Sequence, residues 1–241
     1  MKKVLITGGC SGLGHELVQL FSDKGCAVDI LDISSNKKIF SENVNYIHCD
    51  ISTINADFVK QLWAYDAVVC NAWISISGNF FEHTHVQEEK LFQINTFGHI
   101  ELVRQLLKQW KVCTWWNISF ILSATKMLPF PIALWYAASK WALDWFAFAL
   151  RSFLVWSDIH VTSVYPWPMP TAHVKYYNQE VADKAKALKK VQKVAKNVFR
   201  WIVKNKRNVY PDSVSKLLWF AQPFARVLDK MMWKQYKEQL K

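Results

Sequence analysis

Apolar residues occur along this chain in two alternating patterns. Short apolar and β-branched runs predict buried strands, and longer segments with apolar residues three and four apart predict amphipathic helices. The predicted strands cover 2–7, 27–31, 45–49, 67–70, 118–122 and 159–164, and the predicted helices cover 15–24, 83–107 and 140–155. Strands that alternate with helices are joined by right-handed crossovers into a parallel sheet. The pattern therefore predicts an α/β fold with a doubly wound parallel sheet in three α/β/α layers.

Residues 172–241 differ from the rest of the chain in charge. The chain has 30 Lys and Arg against 19 Asp and Glu, a net charge of +11, and the whole excess lies in this part. It reads as helices broken near Pro211 and Pro223. A basic surface of this kind can bind nucleic acid or an anionic membrane surface. It can also be a solvated helix face, and we favour this last interpretation. Since no linker or repeat occurs, we predict a single domain over 1–241 with a basic helical C-terminal part at about 172–241.

The cysteines and the apolar runs indicate a cytoplasmic protein. The five cysteines are scattered and form no CxxC pair. This pattern is typical of reduced thiols, without a disulfide framework or a metal site. The apolar run at the N-terminus is too short for a signal peptide, and no stretch of about 18 apolar residues occurs later.

A glycine-rich loop joins the first predicted strand to the first predicted helix. It reads Gly8-Gly9-Cys10-Ser11-Gly12-Leu13-Gly14. Glycines let the backbone approach a pyrophosphate, and a helix N-terminus offers free N–H groups and a partial positive charge. The strand, glycine turn and helix together predict a dinucleotide site. Its candidate residues are Gly8, Ser11, Gly12, Leu13 and Gly14.

Asp32 follows the second strand, about 20 residues after the glycine loop. Its carboxylate can accept hydrogen bonds from a ribose 2′-hydroxyl and would repel a 2′-phosphate, which favours NAD(H). The alternative is a plain turn aspartate. Lys37 and Lys38 lie a little further on and keep NADP(H) as a second choice.

Polar residues also follow the third and fourth strands. Asp50 and Ile51 come directly after the third strand, and Asn71 and Ala72 after the fourth. Ligands of a parallel α/β sheet bind at the carboxyl ends of its strands. These four residues are therefore further candidates for cofactor binding.

Tyr136 and Lys140 are the candidate chemical pair. Residues four apart share one face of a helix, so both side chains can reach one pocket. An ammonium beside a phenol stabilises the phenolate and lowers the pKa of the tyrosine. The tyrosine can then act as an acid or a base near neutral pH.

Taken together, these motifs make residues 2–171 resemble the short-chain dehydrogenase/reductase family, in its simple, shorter form, which has a Rossmann-like fold. The spacing from Thr7 to the glycines at 8, 12 and 14 is that of the simple members, whereas the longer epimerase type has glycine at position 11. The sequence matches the family further at Asn71-Ala72, at the catalytic tetrad of Asn95, Ser123, Tyr136 and Lys140, and at Pro166-x-x-Met169-x-Thr171.

The resemblance implies a role for each of these residues. Tyr136 gives a proton to a carbonyl oxygen during reduction and removes it during oxidation, Lys140 lowers the tyrosine pKa and binds the nicotinamide ribose, and Ser123 hydrogen-bonds the substrate oxygen. Asn95 shapes its helix so that a water can link Lys140 to solvent. Pro166, Met169 and Thr171 close over the nicotinamide. Ser119 could compete with Ser123, and both Asn95 and Ser123 also have plain structural readings, as a helix-surface residue and as a strand-end turn.

The family therefore implies an oxidoreductase that transfers a hydride between a nicotinamide cofactor and a secondary alcohol or ketone. It also implies a homodimer or homotetramer, with no nucleic acid partner. One alternative is a non-catalytic dinucleotide-binding regulator on the same fold. Another is a reductase of a lipid-like ketone at a membrane surface, because the basic C-terminal part also contains the apolar residues 217–220 and 227–232.

Tryptophan and glycine occur in unusual proportions, with 13 Trp against 7 Gly. In the family pattern, glycine is expected at Trp63, Trp73, Trp115, Trp116, Trp145 and Trp167. Glycine normally makes up about 7% of a chain, and counting the tryptophans as glycine restores that share. We hypothesise that the gene uses UGA for glycine and that it was translated with a code that reads UGA as tryptophan. The alternative is a genuinely tryptophan-rich protein with indoles packed in its core.

Overall fold

A computed structural model describes residues 2–34, 41–127, 131–167 and 184–222, without the side chains of 112–116 and 184–189. Its centre is one sheet of seven parallel strands in the order β3-β2-β1-β4-β5-β6-β7. The order runs outward in both directions from β1 and β4, as a doubly wound sheet requires. The predicted Rossmann-like fold is confirmed.

The strands lie close to their predicted positions, and the helices fill the intervals between them. The strands are β1 Lys3–Thr7, β2 Ala27–Asp32, β3 Val44–His48, β4 Tyr65–Cys70, β5 Val112–Ile121, β6 Ile159–Val164 and β7 Asn208–Val209. The helices are α1 Gly12–Ser22, α2 Ala56–Lys60, α3 His85–Phe92, α4 Gly98–Lys108, α5 Leu134–Phe153, α6 Lys184–Val203 and α7 Ser213–Ala221.

Two hydrophobic cores cover the two faces of the sheet. On one face, Leu17 and Val18 of α1 pack with Val194 and Val198 of α6 against the strands. On the other face, α4 and α5 contribute buried leucines, including Leu102 and Leu143. These helices therefore form the outer layers of the predicted α/β/α sandwich.

The C-terminal part differs from the expectation in one element. We expected only helices there, but Asn208 and Val209 pair with Ser163 and Val164 of β6 and form the seventh strand. Two residues carry too little local pattern to predict a strand, so pairing with the existing sheet edge decides their conformation.

Helix α6 explains much of the basic charge in the described residues. Its apolar residues Val194, Val198 and Ile202 are buried against the sheet. By contrast, the basic residues along the helix are exposed, at Lys190, Lys193, Lys196 and Arg200. An amphipathic helix with this exposed basic face agrees with the solvated face favoured above, and exposure alone does not distinguish it from a binding surface. Of the two apolar segments considered for membrane contact, residues 227–232 lie outside the described part of the chain. No helix in the described part is long and apolar enough to cross a bilayer.

A buried tyrosine–aspartate contact ties the first strands together. Tyr65 on β4 is fully buried and donates a hydrogen bond of 2.7 Å to the carboxylate of Asp29 on β2. Burial of the phenol and its contact with this carboxylate raise the pKa of Tyr65. The pair therefore keeps Asp29 hydrogen-bonded inside the sheet, where an unsatisfied carboxylate would be costly.

Replacement of Tyr65 by phenylalanine should lower the free energy of unfolding by about 1–3 kcal/mol, because the buried carboxylate loses a donor. Urea denaturation followed by circular dichroism measures this change. Asp57→Asn is the matched control, since it breaks only an exposed pair with Lys60 and should leave stability unchanged. Equal stability of Tyr65→Phe and the original protein would contradict this assignment.

Candidate active site

A cleft of about 190 Å³ lies at the carboxyl ends of the strands, where the chain leaves β1 and β4 toward opposite edges of the sheet. Most of the residues proposed from the sequence line it: Gly8, Ser11, Gly12, Leu13, Asp32, Asp50, Ile51, Asn71, Ala72, Ser123, Tyr136 and Pro166. Gly14, Asn95 and Lys140 lie behind its walls. Met169 and Thr171, as well as Lys37 and Lys38, lie outside the described residues.

The glycine loop forms a cradle of bare backbone. Gly8 has a positive φ of 66°, and a Cβ atom there would lie 2.8 Å from the Cα of Ala72. A Cβ on Gly14 would lie 2.2 Å from the carbonyl oxygen of Gly8. Side chains at these two positions would therefore force the loop apart. The N-terminus of α1 follows at once, with neither a side-chain cap from Ser11 nor an acidic residue in its first turn.

This loop fits the pyrophosphate of a dinucleotide. The first N–H groups of a helix have no partner within the helix and carry a partial positive charge. In α1 these groups belong to residues 12–14, and Gly12 also adopts a positive φ of 53°. Uncapped N–H groups beside a glycine cradle are suited to an anion.

Asn71 fixes the cradle to the end of β4. Its side-chain amide donates to the carbonyl oxygens of Thr7 and Gly8, each at 3.0 Å. The hydroxyl oxygen of Thr7 in turn accepts from the backbone N–H groups of Asn71 at 2.8 Å and Ala72 at 3.0 Å. Thr7 was not among the candidate site residues, although its place directly before the glycines is the signal that could have identified it.

Two aspartates hold the turns on the other side of the cleft. Asp32 accepts hydrogen bonds from the backbone N–H groups of Cys10 at 2.9 Å and Ser34 at 2.8 Å. Asp50 accepts from the N–H and hydroxyl groups of Ser52. Asp32 therefore holds a turn and also lines the cleft. The two interpretations of this residue, a plain turn aspartate and a carboxylate that can bind a ribose, do not exclude each other. Its carboxylate oxygens have further lone pairs for ribose hydroxyls.

Asn95 lies inside a π-helical turn, Gln93–Phe97, that joins α3 to α4. Its side chain is fully buried, accepts from the N–H of Ile74 at 2.8 Å, and donates to the carbonyl of Ile74 and the hydroxyl of Ser139. Ser139 donates onward to the carbonyl of Tyr136 at 2.8 Å. Asn95 is thus not a helix-surface residue, and it connects one cleft wall to the first turn of α5.

Lys140 reaches the cleft wall from the interior. Its ammonium group is buried and donates to the carbonyl oxygen of Ile121, at the end of β5, at 2.9 Å. Burial away from water lowers the pKa of Lys140 to about 7, because desolvation disfavours the charged form. A lysine with this pKa can gain or lose a proton near neutral pH.

Ser123 and Tyr136 both line the cleft. The hydroxyl oxygen of Ser123 accepts from the N–H of Thr125 at 3.2 Å, which leaves its proton available for donation. Ser119, the competing serine, is buried in the sheet and donates to Asn117. Ser123, but not Ser119, is therefore positioned to contact a ligand together with Tyr136.

The family model described as short chain dehydrogenase matches residues 2–182. The chain belongs to the short chain dehydrogenase family. Among curated proteins it is similar to short chain aldehyde dehydrogenase 1 of Euphorbia lathyris, at 29% identity over 189 residues. That match covers 70% of this chain but only 64% of the relative.

Solved structures show the same fold at low sequence identity. A short chain dehydrogenase from Burkholderia cenocepacia, in complex with NADP, matches with a TM-score of 0.77 at 18% identity over 100% of both chains. A family member from Burkholderia phymatum, in complex with NAD, matches with a TM-score of 0.74 at 17% identity over 94% of both chains. At such identities the likeness concerns the fold alone.

His99 is a buried neighbour of the cleft that our sequence reasoning missed. It lies at the start of α4 and is fully buried, with its Nε2 atom 2.8 Å from the carbonyl oxygen of Ala72. Its Nδ1 atom is buried and has no hydrogen-bond partner within the described structure. Burial lowers the pKa of His99 to about 4. The neutral ring therefore donates to Ala72 and fixes the backbone behind the cleft.

The free energy of unfolding of this protein should fall as the pH decreases from about 6.5 to 4. The unfolded chain binds a proton on His99 in this range while the folded chain does not, so protonation favours unfolding. The contribution of His99 to this loss of unfolding free energy should reach about 3 kcal/mol, and it should be absent in His99→Gln. Urea unfolding at several pH values measures it. His85→Gln, at an exposed position of α3, should keep the pH dependence, and an unchanged slope in His99→Gln would contradict this explanation.

Proposed function

We propose that the protein is an NAD(P)-dependent oxidoreductase that interconverts a secondary alcohol and a ketone. The observation that carries the proposal is the arrangement along one cleft. A glycine cradle suited to a pyrophosphate, Ser123 and Tyr136 all line this cleft, and Lys140 donates to the carbonyl of Ile121 in its wall. A binding module needs only the cradle, whereas a reaction at a carbonyl oxygen needs the second group of residues.

The candidate catalytic residues divide the work at the substrate oxygen. The nicotinamide, when bound, supplies or accepts the hydride. In the direction of reduction, Tyr136 donates its phenolic proton to the carbonyl oxygen, and Ser123 donates a hydrogen bond to the same oxygen as negative charge develops there. In the direction of oxidation, Tyr136 takes the proton back.

Lys140 and Asn95 support that proton transfer. A Lys140 side chain with a pKa of about 7 can return a proton to Tyr136 through a bound ribose hydroxyl or a water. Asn95 keeps the π turn in contact with the first turn of α5 through Ser139. We propose that it thereby positions Tyr136 and Lys140.

For the cofactor we propose NAD(H), with NADP(H) as the second choice. Asp32 is the basis of the preference, because its carboxylate would repel a 2′-phosphate. The solved relatives carry both kinds of dinucleotide, NADP in one and NAD in the other. No metal is proposed to take part, and the described residues contain no cluster of three metal-ligating side chains.

We also propose a homodimer or homotetramer in the cytoplasm, with residues 1–241 as a single domain. Helix α5 supports self-association, because its apolar side chains Phe148 and Phe153 are exposed. Buried thiols at Cys49 and Cys70, which form no disulfide, support the location. Weak association with a membrane surface through residues 172–241 stays an alternative, supported by exposed Leu217 and Phe220 on α7.

Replacement of Tyr136 by phenylalanine should reduce turnover at least about 100-fold while NADH binding stays nearly unchanged, because only the transferable proton is removed. Steady-state kinetics with a panel of ketones, together with fluorescence titration of NADH, measures both. Tyr210→Phe, outside the cleft lining, serves as the control and should retain activity. More than about a tenth of the original activity in Tyr136→Phe would show that another group transfers the proton.

Replacement of Asp32 by alanine should narrow the preference for NADH over NADPH. The carboxylate that disfavours the 2′-phosphate is then absent, so NADPH gains relative to NADH. The ratio of kcat/KM for the two cofactors is measured on each protein, and this ratio corrects for any general loss of folded enzyme. A preference of the unmodified protein for NADPH would contradict the assignment and direct attention to Lys37 and Lys38.

A further inference from the structure

The end of helix α4 has a backbone shape that tryptophan does not favour. Trp110 has a φ of 54°, in the left-handed region, and is one of two non-glycine residues of this kind in the described chain. Its N–H bonds the carbonyl of Leu107, and the N–H of Lys111 bonds the carbonyl of Leu106. This is the double hydrogen bond that ends a helix at a left-handed residue, which is usually glycine. The indole of Trp110 is 86% exposed and adds no burial in return.

The other described tryptophans are not fully buried either, although Trp167 and Trp201 pack against the two hydrophobic cores. Ten of them have side chains that the structure describes, and none of these is buried, whereas six are exposed. Trp156 is 97% exposed. By contrast, Phe21, Tyr65 and Phe120 are fully buried. Tryptophan is a residue of high average burial, so the alternative of a tryptophan-rich core is not supported in the described residues.

Two of the remaining tryptophans stand in the cofactor cleft. Trp73 and Trp167 both line it, and the ring of Trp73 lies 5.5 Å from the ring of Tyr136. The indole of Trp73 therefore extends toward the tyrosine. Bulky indoles at these two positions can either narrow the cleft or strain the backbone. They occupy the cleft walls, and neither residue has a positive φ, so backbone strain is found at Trp110 and not at these two positions.

We propose that the natural protein carries glycine at positions 73, 110 and 167, and that the three codons are UGA read as glycine. Position 110 needs glycine for its backbone conformation, and positions 73 and 167 need it to leave room for a ligand in the cleft. The first requirement concerns a helix end and is independent of any ligand. The second rests on the proposed function, because it assumes that a nicotinamide dinucleotide occupies the cleft.

The gene and the native protein decide the proposal directly. UGA at codons 73, 110 and 167, together with glycine at these positions in peptides of the protein isolated from its own cells, is the expected result. Mass spectrometry of those peptides distinguishes the two residues. UGG at these codons, or UGA codons with tryptophan in the native peptides, would overturn the proposal.

The helix end is tested on the chain as printed, without any ligand. Trp110→Gly should raise the urea midpoint of unfolding, because glycine adopts a positive φ without strain. Trp110→Ala removes the same indole but keeps the strain, so it should not raise the midpoint. Gln109→Gly, one residue earlier at a negative φ, should lower it. Equal effects of alanine and glycine at position 110 would contradict the requirement for glycine there.

The cleft is tested by NADH titration of the double variant Trp73→Gly/Trp167→Gly. We expect NADH to bind at least about tenfold more tightly than to the printed chain, a change of about 1.4 kcal/mol. The matched control is Trp63→Gly/Trp156→Gly, which removes two exposed indoles outside the cleft lining and should leave affinity unchanged. Tight binding by the printed chain would show that the two indoles belong in the cleft. Absence of binding by every variant would contradict the proposed function, while the codons and peptides would still decide the glycine proposal.

Discussion

The end of β4 lies directly against the loop that follows β1, and the cleft depends on this contact. The amide of Asn71 bonds the backbone carbonyls of Thr7 and Gly8, and Gly14 lies so close to Gly8 that a Cβ atom has no room. From here the chain continues toward β2 on one side and toward β5 on the other. A crevice necessarily opens where the two halves of the sheet separate. The glycines keep the bottom of that crevice free of side chains.

The candidate catalytic end is held by buried polar contacts and not by the sheet alone. Asn95 can bond Ile74 and Ser139 at once because the π turn displaces it from regular helix geometry. The ammonium of Lys140 donates to the carbonyl of Ile121, and the residue is only 4% exposed to solvent. The same burial that lowers its pKa makes it responsive to a bound hydroxyl or water. Packing around Lys140 on α5 thus sets the pKa of this lysine.

The tryptophans affect the fold and the cleft differently. Exposed indoles such as Trp110 and Trp156 project into solvent and leave both hydrophobic cores intact. Indoles at positions 73 and 167 also leave the sheet intact, but they occupy space that a ligand would need. Stability depends mainly on the buried strands and helices, whereas binding depends on a few positions where backbone must be exposed. The two properties therefore respond differently to the same residue.

The sequence by itself determined the features that depend on local pattern. Apolar runs placed six of the seven strands, the glycine spacing placed the cradle, and an interval of four placed Tyr136 and Lys140 on one helix. Tertiary structure alone decided the features that need a distant partner. Asn208 and Val209 became a strand by pairing with β6, and His99 became a neutral donor only when packing removed it from water. Neither result has a local signal, because pairing and desolvation arise from residues far away in the chain.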